Sequence, residues 1–172
     1  VDEAERSKET QNAKFSQWRN RTISDTYEPG SVFKTVVVAA ALEEGVVDLN
    51  TTFTCTGGIQ VANHYQKCWK PGGHGTETLT QGLMNSCNPF FITIGQKLGK
   101  ENFFKYFEAF GFTEKSGIDL PAEASPVADV TYHSLEKMGI AELSSSSFGQ
   151  TFQVSPIQVV NAISTIANGG GG

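Results

Sequence analysis

The apolar run Val36 to Leu42, inside "EPGSVFKTVVVAAALEEG", constrains the fold more than any other stretch. It carries no polar stripe, so a helix built on it must be buried on most of its sides. Val36, Val37 and Val38 form helix poorly in isolation, and burial has to supply what their propensity lacks. The run is also far shorter than the ~18 residues that read as a membrane span. Helical character extends from Ser31 to Glu44, with Gly45 as a natural stop. A chain of 172 residues is long enough to close one core around such a helix.

The other elements read as short helices and at most one small hairpin, about five helices in all. "TTFTCTGGIQVANHYQKCW" has β-branched and aromatic residues around Gly57-Gly58 and predicts a hairpin or an irregular loop. Thr78-Leu79-Thr80-Gln81 is a capping box opening a helix towards Ser86. Asn88-Pro89 restarts a helix that ends at Gly99. A further one follows, in which Phe103, Phe104, Phe107 and Phe110 have the spacing of core packing. "EKSGIDLPAEASPVADVTYHS" is loop-like, His133 included, and Ser155-Pro156-Ile157-Gln158 opens the last helix. Residues 1–26 read as a polar lead-in, 27–170 as a helical subdomain and 169–172 as a glycine-rich end. Thirteen basic against 18 acidic residues give a net charge of −5 with no basic run, so no nucleic-acid footprint is expected. The polar, charged start is unlike a signal peptide.

Two short motifs could carry chemistry. Ser31 and Lys34 stand three residues apart, so they share a helix face. Two readings of Ser31 compete: a plain N-cap residue with a stray lysine nearby, or a nucleophile. For the second, the helix N-terminus would stabilise negative charge, and a half-buried Lys34 would act as its base. The spacing alone decides little, because Ser134-Leu135-Glu136-Lys137 matches it too, in a charged segment with no buried helix behind it. The second motif is Ser86-Cys87-Asn88, a turn between two helices. It reads as ordinary capping, or as a hydroxyl and a carboxamide placed to relay a proton and hold a substrate amide. Glu43-Glu44 reads as a solvated helix end.

Taken in order, "YEPGSVFKTVVVAAALEEG", "GHGTETLTQGLMNSCNPFF", "FGFTEKSGIDLPAE" and "SSSFGQTFQVSPIQVVNAISTIANGG" resemble the transpeptidase domain of class B penicillin-binding proteins, over Trp18 to Gly170. The resemblance implies a fold that is mainly α: the helical subdomain of the β-lactamase/transpeptidase-like α/β fold, with most of the central sheet absent. It implies that Ser31 attacks a terminal D-Ala-D-Ala of a peptidoglycan stem peptide and forms an acyl-enzyme, that Lys34 takes the proton, and that Ser86 and Asn88 complete the network. β-Lactam antibiotics would acylate Ser31 likewise. The parent would be anchored at the extracytoplasmic face of the bacterial membrane, beside a glycosyltransferase. The alternatives are a serine β-lactamase or β-lactam sensor of the same fold, and a non-catalytic scaffold. Gln150 and Thr151 in "FGQTFQVSP" take a structural role.

The family's third motif, Lys-Thr/Ser-Gly on a strand facing the serine, is not Lys115-Ser116-Gly117, which falls in the loop before the leucine-proline pair. The resemblance thus implies a fragment, lacking that strand and one oxyanion amide, and weakly active or inactive. Losing one such donor costs ~10²–10³ in rate.

Cys55, Cys68 and Cys87 leave three readings open. The first is a Cys55–Cys68 disulfide with Cys87 free, in the oxidising location that the family implies. The second is a structural zinc held by Cys55, Cys68, His74 and Cys87, with His64 as a substitute for His74. The third is three unlinked thiols. No cofactor is expected for catalysis.

Overall fold

The computed structural model describes residues 3–170. Residues 1 and 2 of the polar lead-in and residues 171 and 172 of the glycine-rich end lie outside the described residues. The order is α1 (Glu3–Trp18), α2 (Arg21–Ser24), a 3₁₀ turn (Gly30–Phe33), α3 (Lys34–Glu43), β1 (Thr52–Cys55), β2 (Gly58–Val61), β3 (His64–Lys67), β4 (Gly75–Thr78), α4 (Leu79–Met84), α5 (Asn88–Ala109), α6 (Ile140–Ser146) and α7 (Pro156–Ala167).

α3 lies at the centre, packed on α5 and α7. Val36, Val37, Ala40 and Ala41 are buried, while Leu42 is exposed and Val38 and Ala39 are half-buried, so one side of the apolar run stays partly open. Phe33, just before α3, is the hub of the aromatic core. Its ring meets Phe152 at 4.7 Å, Phe112 at 5.4 Å, Phe103 at 6.0 Å and Phe107 at 6.1 Å. Edge-on rings at these separations favour one another beyond the area they bury. The phenylalanine spacing after Gly99 therefore packs as core. α5 is two helices joined by a kink at Gly99 (φ 77°, ψ 158°), which is where the sequence placed the break. The capping boxes also form: Gln81 N–H donates to Thr78 Oγ1 at 3.3 Å, and Ser155 N–H donates to Gln158 Oε1 at 2.9 Å.

The expected single hairpin is instead two nested antiparallel ribbons. β2–β3 pairs Gly58 with Lys67, and it sits inside β1–β4, which pairs Phe53 with Glu77 and Cys55 with Gly75. Glycines allow the fold-over: Gly73 has φ 82°, and a Cβ there would strike the backbone of Cys55 and Gly57. α1 and α6 also depart from the sequence reading. The side chains described along α1 are exposed, so it has no apolar stripe to betray it. α6 is serine-rich and buries Leu143, Ser144 and Ser146 against α5. Residues 113–139 hold no helix and no strand ladder, which takes in the stretch 114–134 that the sequence marks as loop-like.

The turn before α3 is fixed from a distant part of the chain. Tyr27 pairs with Val154, Gly30 N–H donates to the Gly149 carbonyl at 2.9 Å, and Thr151 N–H donates to Glu28 Oε1 at 2.9 Å. Gly149 has φ 81°, and a side chain there would run into the backbone of Gly30. Gly149→Ala is expected to destabilise the fold by about 3 kcal/mol through strain and displacement of this turn, read as a lower urea midpoint at unchanged slope.

Candidate active site

Ser31 lies on the 3₁₀ turn with its side chain at the surface, and Lys34 begins α3 with no exposed area. The residues at the cap positions are Pro29 for the turn and Phe33 for α3, and neither makes a side-chain cap bond. Ser31 is therefore not an N-cap residue. Its Oγ instead accepts from Ser86 Oγ at 2.8 Å and from Lys34 Nζ at 3.3 Å. The same Nζ also has Ser86 Oγ at 2.8 Å, the Ser86 carbonyl at 2.9 Å and Asn88 Oδ1 at 2.6 Å within reach, four acceptors for at most three N–H groups. Ser31, Ser86 and Asn88 thus meet at one amine, that of Lys34. The Phe91 ring centroid lies 5.2 Å from Nζ. Burial pulls the lysine from 10.5 down to about 8, against the opposing pull of Cys87 and Cys68.

Ser86 owes its place to the way α4 ends. Ser86 N–H donates to the Leu83 carbonyl at 3.0 Å and Cys87 N–H to the Gly82 carbonyl at 3.0 Å, the paired bonds of a Schellman stop. The residue after the cap in that motif is left-handed and usually glycine; here it is Ser86, at φ 51°. A side chain at positive φ costs of order 1 kcal/mol, and such strain gathers at functional positions. Its result is that carbonyl and hydroxyl of one residue both face Lys34.

Comparison with known proteins now decides the family. Residues 3–171 match the family described as "Penicillin binding protein transpeptidase domain". The chain belongs to the penicillin-binding protein transpeptidase family. The chain is similar to "Stage V sporulation protein D" of Bacillus subtilis (strain 168), 45% identical over 88% of this chain and 23% of that protein. It is similar to "Peptidoglycan D,D-transpeptidase MrdA" of Acinetobacter baumannii, at 28% identity over 88% of the chain and 24% of that protein. Among solved structures, PBP2 of Helicobacter pylori in complex with MreC superposes with a TM-score of 0.82 at 27% identity, covering 98% of this chain and 32% of that one. The chain thus spans 23% and 24% of the length of these two curated relatives.

In this transpeptidase domain the cysteines also converge. Cys55 and Cys68 end and follow the nested ribbons, Cys87 sits between Ser86 and Asn88, and all three are buried free thiols. Their sulfurs and one ring nitrogen of His74 lie within 4.8 Å of one another, with Cys68 Sγ 3.4 Å from His74 Nδ1. His64, the substitute considered for His74, is exposed at the start of β3 and outside this group. Tetrahedral zinc holds Cys and His donors at ~2.0–2.3 Å, so modest inward movement would close the set. His74 Nε2 and Glu77 Oε2 are buried without a hydrogen-bond partner.

The sequence reading passed over Glu77, Asn85 and Trp69. Glu77 is 2% exposed, and its Oε1 accepts from Asn85 Nδ2 at 2.6 Å. Trp69 Nε1–H donates to the Asn85 carbonyl at 2.9 Å. The alternation Gly75-Thr76-Glu77-Thr78 held a signal, since its register puts Glu77 opposite Phe53 on the face that Cys55 shares. The competing motif matches lead elsewhere. Lys137 pairs with Asp129 at 3.1 Å rather than with Ser134. Lys115-Ser116-Gly117 lies in a loop, where Ser116 N–H donates to Glu123 Oε1 at 2.6 Å. Glu44 accepts from Lys105 Nζ at 2.7 Å and Tyr106 OH at 2.9 Å, and does not pair with Glu43.

Proposed function

We propose that this chain carries the serine acyl-transfer site of a peptidoglycan D,D-transpeptidase. The observation that carries the reading is the convergence of Ser31, Ser86 and Asn88 on one buried lysine whose pKa burial lowers to about 8. Near neutral pH a useful fraction of Lys34 is then uncharged, with two N–H groups and a lone pair. Asn88 Oδ1 and the Ser86 carbonyl accept the two N–H bonds, which turns the lone pair towards the hydroxyls. The Ser31 proton has a direct route of 3.3 Å to Nζ, or a relay of two 2.8 Å steps through Ser86 Oγ. The Ser31 oxygen attacks the carbonyl of the penultimate D-alanine of a stem peptide, and the terminal D-alanine leaves with a proton passed back from Lys34. An acceptor amine then takes the acyl group and frees Ser31. A β-lactam opens its ring on the same oxygen and stays attached.

The test is mass spectrometry after β-lactam exposure, on this chain and on a longer protein carrying it. A persistent adduct on Ser31 is expected. Turnover of the β-lactam would favour a β-lactamase, and no adduct in either protein would favour a scaffold. The chain alone is expected to react more slowly by about 10²–10³, since among the described residues no Lys-Thr/Ser-Gly lies on a strand. The acylation rate should rise with pH and level off above about 8, as Lys34 loses its proton. A rate flat between pH 6 and 9 would remove Lys34 as the base. The same reading puts the parent outside the cytoplasmic membrane, beside a glycosyltransferase; no described helix is long and apolar enough to cross a membrane.

We further infer that Cys55, Cys68, His74 and Cys87 hold a structural zinc, which would tie the nested ribbons to the turn bearing Ser86. Three thiols and an imidazole nitrogen, all buried, form a known structural donor set, and the buried His74 ring stacks edge-on with Trp69 at 5.1 Å. The metal's part is to hold the loop; the acyl transfer uses none.

A further inference from the structure

The left-handed Ser86 needs something to hold it. A strained backbone persists only where its surroundings over-determine it. α4 is a helix of six residues, and its last turn alone offers little. The residue before Ser86, Asn85, is where the restraint enters. Its side-chain amide donates to Glu77 at 2.6 Å, and its carbonyl accepts from Trp69 at 2.9 Å. Trp69 is 64% exposed, so its bond competes with water, whereas Glu77 is almost wholly buried and its part-buried bond to the exposed Asn85 competes less. A carboxylate is costly to bury, and β4 carries one on the apolar face of its ribbon. Glu77 Oε2 lies 3.8 Å from His74 Nδ1, beyond hydrogen-bond reach, while Oε1 takes the short bond from Asn85. The bond runs from Asn85 Nδ2 to Glu77 Oε1 and so fixes which way the Asn85 amide points.

We propose that Glu77 is a positioning residue for acyl transfer. It clamps Asn85 and thereby holds Ser86 in the conformation that aims both of its oxygens at Lys34. This rests on reading Ser31, Lys34 and Ser86 as an acyl-transfer site. Glu77 touches neither Ser31 nor Lys34; it acts one residue away from Ser86, through Asn85.

The test compares Glu77→Leu, Glu77→Gln, Asn85→Ala and the Glu77→Leu/Asn85→Ala double variant in the full chain. The readouts are β-lactam acylation, metal content and the titration midpoint of ¹³C-labelled Lys34. Glu77→Leu should acylate about 30- to 100-fold more slowly, the scale of a group displaced by about 1 Å. Glu77→Gln keeps an acceptor for Asn85 and should stay within about threefold of wild type. Asn85→Ala leaves the cysteine cluster untouched and should match Glu77→Leu, with the double variant no slower than either single one. The Lys34 midpoint should move in Glu77→Leu and Asn85→Ala, and hold in Glu77→Gln. Acylation at the wild-type rate in Asn85→Ala, or additive losses in the double variant, overturns the proposal, since the clamp would then not run through Asn85. Loss in Glu77→Leu accompanied by loss of metal, with Asn85→Ala normal, assigns Glu77 to the cluster instead and also overturns it. If wild type itself forms no adduct, the acyl-transfer reading falls. The clamp is then judged by the Lys34 midpoint, and an unmoved midpoint in both Glu77→Leu and Asn85→Ala rejects it.

Discussion

Lys34→Met should fold, keep Ser31 in place and lose about 10³-fold in the rate of acylation by a β-lactam. Methionine fills the same buried channel beside Phe91 without a basic nitrogen, so the change tests the base and not the shape. General-base contributions of ~10²–10⁴ bracket the expected loss. Ser31→Ala, which has no oxygen to acylate, is the zero point. A second consequence concerns stability. The folded-state pKa of Lys34 is lowered to about 8 from 10.5, so between those values the unfolded chain binds more protons than the folded one. Wild type should therefore gain stability relative to Lys34→Met as pH rises from about 8 to 10.5, by at most about 3 kcal/mol. Below about pH 8 the lysine is charged in both states, and that contribution is gone. Urea unfolding of both proteins at pH 7.5 and 10 reads the difference directly. Equal slopes with pH would mean that the lysine is not held in a depressed state.

Breaking up the proposed zinc site should have the next effect in size. Wild type purified without chelator is expected to hold about one equivalent of zinc and to titrate no free thiol under native conditions. Cys87→Ser should release the metal and lower the melting temperature by about 10 °C, the fall that a loss of about 3–5 kcal/mol gives in a chain of this size. The three cysteines belong to the same buried core as Phe33, but the rings that meet Phe33 are Phe103, Phe107, Phe112 and Phe152, and these contacts should keep the rest of the chain folded. Cys87 lies between Ser86 and Asn88, so the same variant should also slow acylation. Cys55→Ser and Cys68→Ser should reproduce both effects. Three reactive thiols and no metal in wild type would leave unlinked cysteines as the answer, and a single reactive thiol would point to the disulfide.

Much of the site is local in the sequence, which is why it could be read there. Ser31 and Lys34 are one turn apart, and the capping boxes at Thr78 and Ser155 announce helix starts within four residues. The kink at Gly99 and the loop of 113–139 follow from glycines, prolines and the absence of a period. What stayed hidden depends on contacts between distant residues. α1 is polar apart from exposed Phe15 and Trp18 near its end, α6 ends in three serines, and the nesting of two ribbons needs Cys55 to find Gly75 rather than its nearest strand. Glu77 reads as one more surface acid until its strand is paired. The left-handed Ser86 is written nowhere in Ser-Cys-Asn, since it follows from how α4 stops.

The nesting of the ribbons also sets an order of events as the chain folds. β2 and β3 are joined by only Ala62 and Asn63, and loops this short close in microseconds or less. That closure extends to the bond from Cys68 N–H to the Gly57 carbonyl, at 2.9 Å, which carries Cys68 towards Cys55. By sequence separation, His74 would follow when β4 pairs with β1, and Cys87, beyond α4, would arrive last. Two sulfurs therefore meet early, while the third is still distant. In that order the first two thiols would be close before the other donors arrive, so an oxidant present during refolding is expected to trap a Cys55–Cys68 bond, read as the loss of two reactive thiols.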